Sequence, residues 1–316
     1  MIPIEEIREA AARILGKVHR TPLFHSERLG ERIGASLYLK CESFQKTGSF
    51  KPRGALNKVL SLSEPERARG LVTVSAGNHA QAVAWAARIA GCSCAVVMPT
   101  DAPRAKIDAV RGYGAEVILH DDRATLFDRL NAVREERGAT FVHPFDDPVV
   151  LAGAGTTALE ILEDLPDADV VVVPVGGGGL LGGMASAIRQ LRPATRVVAV
   201  ELAEGPGLGP ALAAGRPVNV PRPPRTLADG MTPPFVGALP LEIAREAVED
   251  IVTVSEEAIR EGMRMLATRG KLFVEGSGAA ATGALLAGRV RIAPGERVVA
   301  VVSGGNADLS AFAGLA

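Results

Sequence analysis

Cysteine is scarce in this chain, with only Cys41, Cys92 and Cys94 among 316 residues. So small and odd a number excludes a disulfide framework and fits a reducing compartment, so a cytoplasmic location is expected. Cys92 and Cys94 flank Ser93, which would put both thiols on one side of a strand; with no second ligand pair nearby they read as small buried hydrophobes and not as a metal site. Basic excess is also missing. Lys plus Arg number 35 against 36 Asp plus Glu, a formal charge of −1, so no cationic stripe can follow a phosphate backbone and a nucleic-acid partner is excluded. No uninterrupted apolar run is long enough to cross a bilayer, and the opening Met1-Ile2-Pro3-Ile4-Glu5-Glu6 has neither a basic nor an apolar targeting segment. Neither an internal repeat nor a low-complexity tail is present.

A chain of this length exceeds what one hydrophobic core usually supports, so two lobes with a cleft are expected. Apolar residues make up 47% and glycines number 35, in keeping with a folded α/β protein. From about residue 70 the pattern alternates strand and helix. Leu71 to Val74 reads as a strand, His79 to Ala90 as a helix ended by Gly91, Cys94 to Met98 as a strand, and a further helix opens at Pro103. Glu116 to Leu119 then reads as a strand and Arg123 to Arg137 as a helix. A second series starts with Thr157 and Glu160, spaced as a capping box. It continues with the apolar run Val170 to Val175, which suits a parallel strand buried on both faces, a Gly-rich turn, a helix carrying Leu181, Met184, Ala185, Ile188 and Leu191, and the strand Arg196 to Glu201. Gly and Pro crowd the stretch from Gly205 to Pro240, which reads as long loops of the sort that line a site. The expected division is a large domain of residues 1–69 and 147–316 and a small domain of residues 70–146.

Four stretches carry candidate chemistry. In Ser49-Phe50-Lys51-Pro52-Arg53-Gly54 the plain reading of Lys51 is a solvated loop lysine. Ser75-Ala76-Gly77-Asn78-His79-Ala80-Gln81 joins a strand to a helix N-terminus, where free N–H groups can hold an anion, although a simple cap by Asn78 fits as well. In Gly176-Gly177-Gly178-Gly179-Leu180-Leu181-Gly182 the consecutive glycines cost backbone entropy that a mere turn does not need, which points to close approach by a ligand or a nest of N–H donors. Gly177, Gly179 and Gly182 also satisfy G-x-G-x-x-G, and Glu201 follows 19 residues later, so an NAD-dependent dehydrogenase is a live alternative. Ser303-Gly304-Gly305-Asn306 follows a buried strand and by itself reads as a hydrophilic turn.

In this order, the four stretches resemble the serine and threonine dehydratase group of the tryptophan synthase β family, which includes serine racemase. The likeness runs from about Thr21 to Leu309 and extends to His143-Pro144-Phe145-Asp146-Asp147-Pro148, Thr226-Leu227-Ala228-Asp229-Gly230 and Val274-Glu275-Gly276-Ser277-Gly278. It implies a two-lobed fold-type II enzyme in which each lobe is a mainly parallel sheet flanked by helices, with pyridoxal 5′-phosphate in the cleft between them. Lys51 would hold the cofactor and, once displaced, act as general base at Cα. Phe50 would pack near the cofactor ring, Gly176 to Gly179 with Leu180 would cradle its phosphate, and Asn78 would bond its phenolic oxygen. Ser303 would face the pyridine nitrogen, with Gly304 and Glu275 alongside. Ser75, Ala76, Gly77, Asn78, His79 and Gly230 would surround the substrate.

The implied reaction is β-elimination from a small L-hydroxy amino acid, L-threonine or L-serine, giving a 2-oxo acid and ammonia. Within the family, a racemase or a dehydratase of hydroxyaspartate or a phenylserine-like substrate is the alternative. Racemases of the group place a serine where this chain has Ala76, and a methyl group cannot donate a proton, so dehydration is expected. Some relatives bind a divalent cation through an acidic pair; Glu201 remains but Gly207 stands in the second position, so no metal is expected. The chain ends soon after the fourth motif, so the regulatory domain of biosynthetic threonine dehydratases is expected to be missing. A homodimer is expected.

Overall fold

The computed structural model describes residues 1–221, 223 and 225–313, so two positions of the long Gly- and Pro-rich stretch lie outside it. A six-stranded sheet is built from β1 (Leu23–His25), β2 (Ser36–Cys41), β7 (Val170–Pro174), β8 (Arg196–Leu202), β9 (Asp250–Val254) and β10 (Arg297–Val302), in the spatial order β1-β2-β10-β7-β8-β9. All its pairings are parallel except the β1–β2 edge. The second sheet is wholly parallel, in the order β5-β4-β3-β6, from β3 (Leu71–Val74), β4 (Cys94–Pro99), β5 (Glu116–His120) and β6 (Thr140–Phe141). The apolar runs are central strands: every residue of β7 is buried, because helices cover both faces of a parallel sheet and leave no solvated side.

Thirteen α-helices accompany the strands among the described residues. The larger sheet lies between α1 (Ile4–Ile14), α8 (Pro148–Asp164), α9 (Gly179–Leu191), α10 (Leu208–Ala214) and α11 (Ala238–Ala247) on one face and α2 (Glu27–Ile33), α12 (Glu256–Met265) and α13 (Gly276–Leu286) on the other. The smaller sheet lies between α3 (Lys51–Ser61), α5 (Asn78–Ala90) and α6 (Arg104–Gly112) on one face and α7 (Leu126–Arg137) on the other, with α4 (Glu64–Ala68) leading into β3. Ala55, Leu56 and Val59 of α3 share the core of the smaller sheet, although α3 also packs on α8 of the larger lobe. That second contact is close: a Cβ on Gly54 would sit 2.6 Å from the Val150 carbonyl oxygen, and one on Gly153 would sit 2.5 Å from that of Arg53. Glycine at both positions lets the two backbones touch and sets the seat of Lys51.

Two local expectations need correction. Thr157 opens no helix: α8 starts at Pro148, capped by Asp147, whose side chain accepts from the amides of Val149 and Val150. An Asp-Pro pair is a strong start signal, and Glu160 is thereby freed to turn inward. Cys92 precedes β4 and is half-buried, so of this pair only Cys94 is a buried strand residue. The stretch from Gly205 to Pro240 includes helix α10 and a short 3-10 turn at Asp229–Met231.

Candidate active site

Four loops leave the carboxyl ends of parallel strands and meet between the lobes, the usual location of a site in an open α/β sheet. They follow β2, β3, β7 and β10. The first and last are laced together: Ser49 bridges Gly304, the Phe50 amide donates to the Ser303 carbonyl at 3.0 Å, and the Gly305 amide donates to the Gly48 carbonyl at 2.8 Å.

Lys51 is the first residue of α3. Its Nζ donates to the Pro144 carbonyl at 2.7 Å and lies 5.0 Å from the centre of the Phe50 ring. Burial, with no carboxylate partner, pushes its amine down to about 8, because a low-dielectric site disfavours the charged form. The solvated-loop reading therefore fails. Two residues on, Arg53 is 1% exposed and bonds Glu42 through Nε at 2.8 Å and Glu160 through Nη1 at 2.7 Å, while Lys40 bonds Glu160 at 2.6 Å. Burial works against the Glu160 carboxylate, but Arg53 and Lys40 outweigh it and hold the group below its ordinary range. This four-charge cluster, with Thr21 and Thr156 as further partners, anchors the first turn of α3 to β2 and α8. Glu160 lies 120 residues beyond Lys40 in sequence, and no local pattern in the chain could have joined it to Lys40 and Glu42.

The turn after β3 is built around Ser75, whose Oγ accepts from the Gly77 amide at 3.1 Å. Asn78 opens α5 without capping it; its Nδ2 reaches across the cleft to Glu275 Oε1 at 2.7 Å. A Cβ on Gly77 would meet nothing within 4 Å, so there is room above the N-terminal amides of this 13-residue helix. His79 is 3% exposed, with Nε2 against the Val142 carbonyl at 3.0 Å and Nδ1 unpartnered. Burial, reinforced by the Lys51 charge, lowers its pKa to about 3, so the ring is neutral. Ala76 lies in the same turn.

The glycine loop follows β7 and ends in α9, with Gly178 at φ 89°. A Cβ on Gly176 would meet the Gly230 carbonyl at 2.8 Å and one on Gly177 the Phe145 ring at 2.2 Å. The protein's own packing thus excludes side chains there, where the run of glycines by itself points to a ligand. The first amides of α9, at Gly179 and Leu180, lie too near its start for helical partners and face the position an anion takes at a helix N-terminus. Beyond β10, Ser303 is 5% exposed and its Oγ donates to the Ser277 carbonyl at 3.2 Å. The Ser277 hydroxyl is buried and unpartnered, 2.8 Å from where a Cβ on Gly230 would stand. Glu275 packs on Gly304, and burial, then the charge of Asp229, raises its carboxyl to about 7. Ser277 and Asn306 belong to the cluster without having been expected there; both lie inside the sequence motifs, where only their neighbours carry an implied role.

The dinucleotide alternative loses its acidic residue. Glu201 is 3% exposed and its carboxylate accepts the amides of Gly207, Leu208 and Gly209, so it serves α10 and is not free for a ribose hydroxyl.

A buried amine without a counter-ion, two helix N-termini for anions and unpartnered buried atoms at His79 and Ser277 define a two-lobed enzyme that fits an anionic aldehyde cofactor. The pyridoxal-phosphate dependent enzyme family matches residues 14–304. The L-threonine ammonia-lyase of Thermotoga maritima is 46% identical over 98% of this chain and 77% of its own length. Among solved structures, maize serine racemase superposes with a TM-score of 0.93 at 38% identity, covering 98% of this chain and 95% of that one. The threonine deaminase of T.th. gives 0.90 at 43%, covering 96% and 98%. The chain belongs to the pyridoxal-phosphate dependent enzymes of fold type II, in the serine and threonine dehydratase group. No helix among the described residues is long and apolar enough to cross a membrane.

Proposed function

We propose that this protein is a threonine or serine ammonia-lyase, which removes water and then ammonia from the small L-hydroxy amino acid. The observation that carries the reading is Lys51: partly buried, hydrogen-bonded to a backbone carbonyl and to no carboxylate, and lowered to about 8, its amine is neutral in a useful fraction near neutral pH. When bound, the cofactor supplies an electron-withdrawing ring conjugated to Cα of the amino acid. Lys51 would hold the cofactor and, once displaced, take the α-proton. Its partner would be the Pro144 carbonyl, which accepts from the amine without imposing a charge.

Phe50 flanks the lysine. Gly176, Gly177, Gly178, Gly179 and Leu180 would present backbone amides to the cofactor phosphate, and Asn78 would address its phenolic oxygen. The amides around Gly77, with Ser75, Ala76 and neutral His79, take the substrate carboxylate, while Gly230 closes the side-chain end. Ser303, a neutral hydroxyl beside Gly304, would face the pyridine nitrogen, where it would leave that nitrogen less charged than a carboxylate would. The β-hydroxyl would then leave as water with the proton that Lys51 took from Cα, and the released enamine would hydrolyse to a 2-oxo acid and ammonia. Ala76 lacks the proton that inversion at Cα requires, so conversion of L-serine to D-serine is a minor outcome. We further assign residues 1–69 and 147–316 to the large domain and 70–146 to the small one, and place the enzyme in the cytoplasm as a homodimer.

The test is the visible spectrum of the purified protein supplied with cofactor, before and after L-threonine, with 2-oxobutanoate measured in parallel. A visible band that responds to the amino acid, borohydride fixation at Lys51, and loss of at least about 10³-fold in turnover for Lys51→Ala are expected. Undiminished turnover in that variant would overturn the assignment.

A further inference from the structure

Asn78 is carried by the smaller lobe, yet both fixed bonds of its side chain go to the larger one. Its Oδ1 accepts from Asn306 Nδ2 at 2.8 Å and its Nδ2 donates to Glu275 Oε1 at 2.7 Å. Asn306 has no freedom to reverse, because its Nδ2 also donates to the Thr47 carbonyl at 2.7 Å. Both N–H groups of Asn306 are thereby spent, and its Oδ1 lies against Gly48, where a Cβ would stand 2.4 Å away. Thr47 is held at φ 56°, a conformation that is costly for a β-branched residue and persists only where its surroundings enforce it. That conformation belongs to the same tight turn that aims the Thr47 carbonyl at Asn306, four residues ahead of Lys51. The chain of bonds is directional: a carbonyl orients Asn306, Asn306 orients Asn78, and the Glu275 carboxylate accepts one of the two Asn78 N–H groups and leaves the other uncommitted.

We propose that Asn306, Glu275 and the Thr47 carbonyl are positioning groups that fix which way the Asn78 amide faces, so that one N–H is offered to the cofactor's phenolic oxygen while the lobes are closed. The inference rests on the cofactor reading above. A second cross-lobe bond, Lys106 to Asp229 at 2.5 Å, closes the same side of the cleft. Around Glu275 the charged groups are Asp229, which favours its neutral form, and Lys106, which favours the carboxylate; the Asn306 backbone amide and the Asn78 side chain also favour the carboxylate. Opening the lobes removes Asn78 and Lys106 from this set together. The orientation of Asn78 and the charge of Glu275 are therefore coupled to closure.

The experiment titrates pyridoxal phosphate into the cofactor-free wild type and into Asn306→Ala, Asn306→Asp, Asn306→Ser and Glu275→Gln, following binding and the position of the visible band across pH 6 to 9 (roughly one unit below to one above the values of about 7 and 8). Far-UV circular dichroism on each variant verifies the fold. Asn306→Ala should bind the cofactor about tenfold more weakly, the loss of one hydrogen bond, with a displaced band. Asn306→Asp should be worse, since its carboxylate faces two oxygen acceptors. Glu275→Gln keeps an acceptor for Asn78, so its band should stay in place but lose the pH dependence near 7. Should Asn306→Ala not fold, Asn306→Ser, which is too short to span both acceptors, should show the same weakening. Folded Asn306 variants with wild-type affinity and an unmoved band at every pH would overturn the inference while leaving the cofactor reading intact. A wild type that takes up no cofactor overturns both.

Discussion

Two lysines eleven positions apart in sequence, Lys40 buried and Lys51 partly buried, sit in opposite electrostatic surroundings. Lys40 is fully enclosed and ion-paired with Glu160 beside Arg53 and Glu42, so its charge is compensated and its place is structural. Lys51 is partly buried without any carboxylate partner, with the Pro144 carbonyl and the Phe50 ring beside its amine. Burial then acts on it unopposed and lowers it to about 8. What makes a lysine a chemical group in this fold is the withheld counter-charge, and the neighbouring cluster shows that the protein can supply one when the role is structural.

The largest effect should come from breaking the compensated side. Glu160→Gln leaves Arg53 and Lys40 with Glu42 as their remaining carboxylate and should cost about 3–5 kcal/mol, read from the urea midpoint. A loss below about 1 kcal/mol, the range of an exposed ion pair, would show that the cluster does not anchor α3. The sign of its pH dependence follows from the depressed Glu160 carboxyl. Its contribution is fully present above the unfolded value of about 4.3 and is lost as pH falls through the lower folded value. Stability measured against pH should therefore fall less steeply on the acid side in Glu160→Gln than in the wild type.

The uncompensated side is tested by chemistry. Reaction of cofactor-free protein with an amine-directed aldehyde followed by reduction should label Lys51 at a rate that climbs roughly tenfold per unit until about pH 8 and then levels. Lys40 should remain unlabelled in the folded state. Equal labelling of both would remove the contrast between them. A smaller effect is expected at Asp147, whose side chain caps α8. Asp147→Ala should cost about 1 kcal/mol and, because α8 carries Glu160, should also slacken the charged cluster without touching Lys51 directly.

Much of this organisation could be read along the chain. The β3 strand, helix α5 with its Gly91 cap and the all-buried β7 run follow from local periodicity and glycine chemistry. The Asn78 turn and the glycine loop could be picked out because each joins a strand to a helix start, whereas the stretches around Lys51 and Ser303 stand out only through the ordered resemblance of all four. The start of α8 is misplaced by local reading because a Thr and a Glu three residues apart also occur within helices, where only tertiary contacts reveal that Glu160 points inward to Arg53.

Local sequence thus determined the succession of strands and helices, since each depends on residues a few positions apart. It also marked the Asn78 turn and the glycine loop as candidate anion sites. Only the tertiary structure decided that Lys40 meets Glu160 while Lys51 meets no carboxylate, that Glu201 binds the amides of α10, and that Asn306 and Glu275 together grip Asn78. The physical reason is that charge compensation and hydrogen-bond direction depend on which distant segments are brought within about 3 Å of each other, and that separation is a property of the packed lobes.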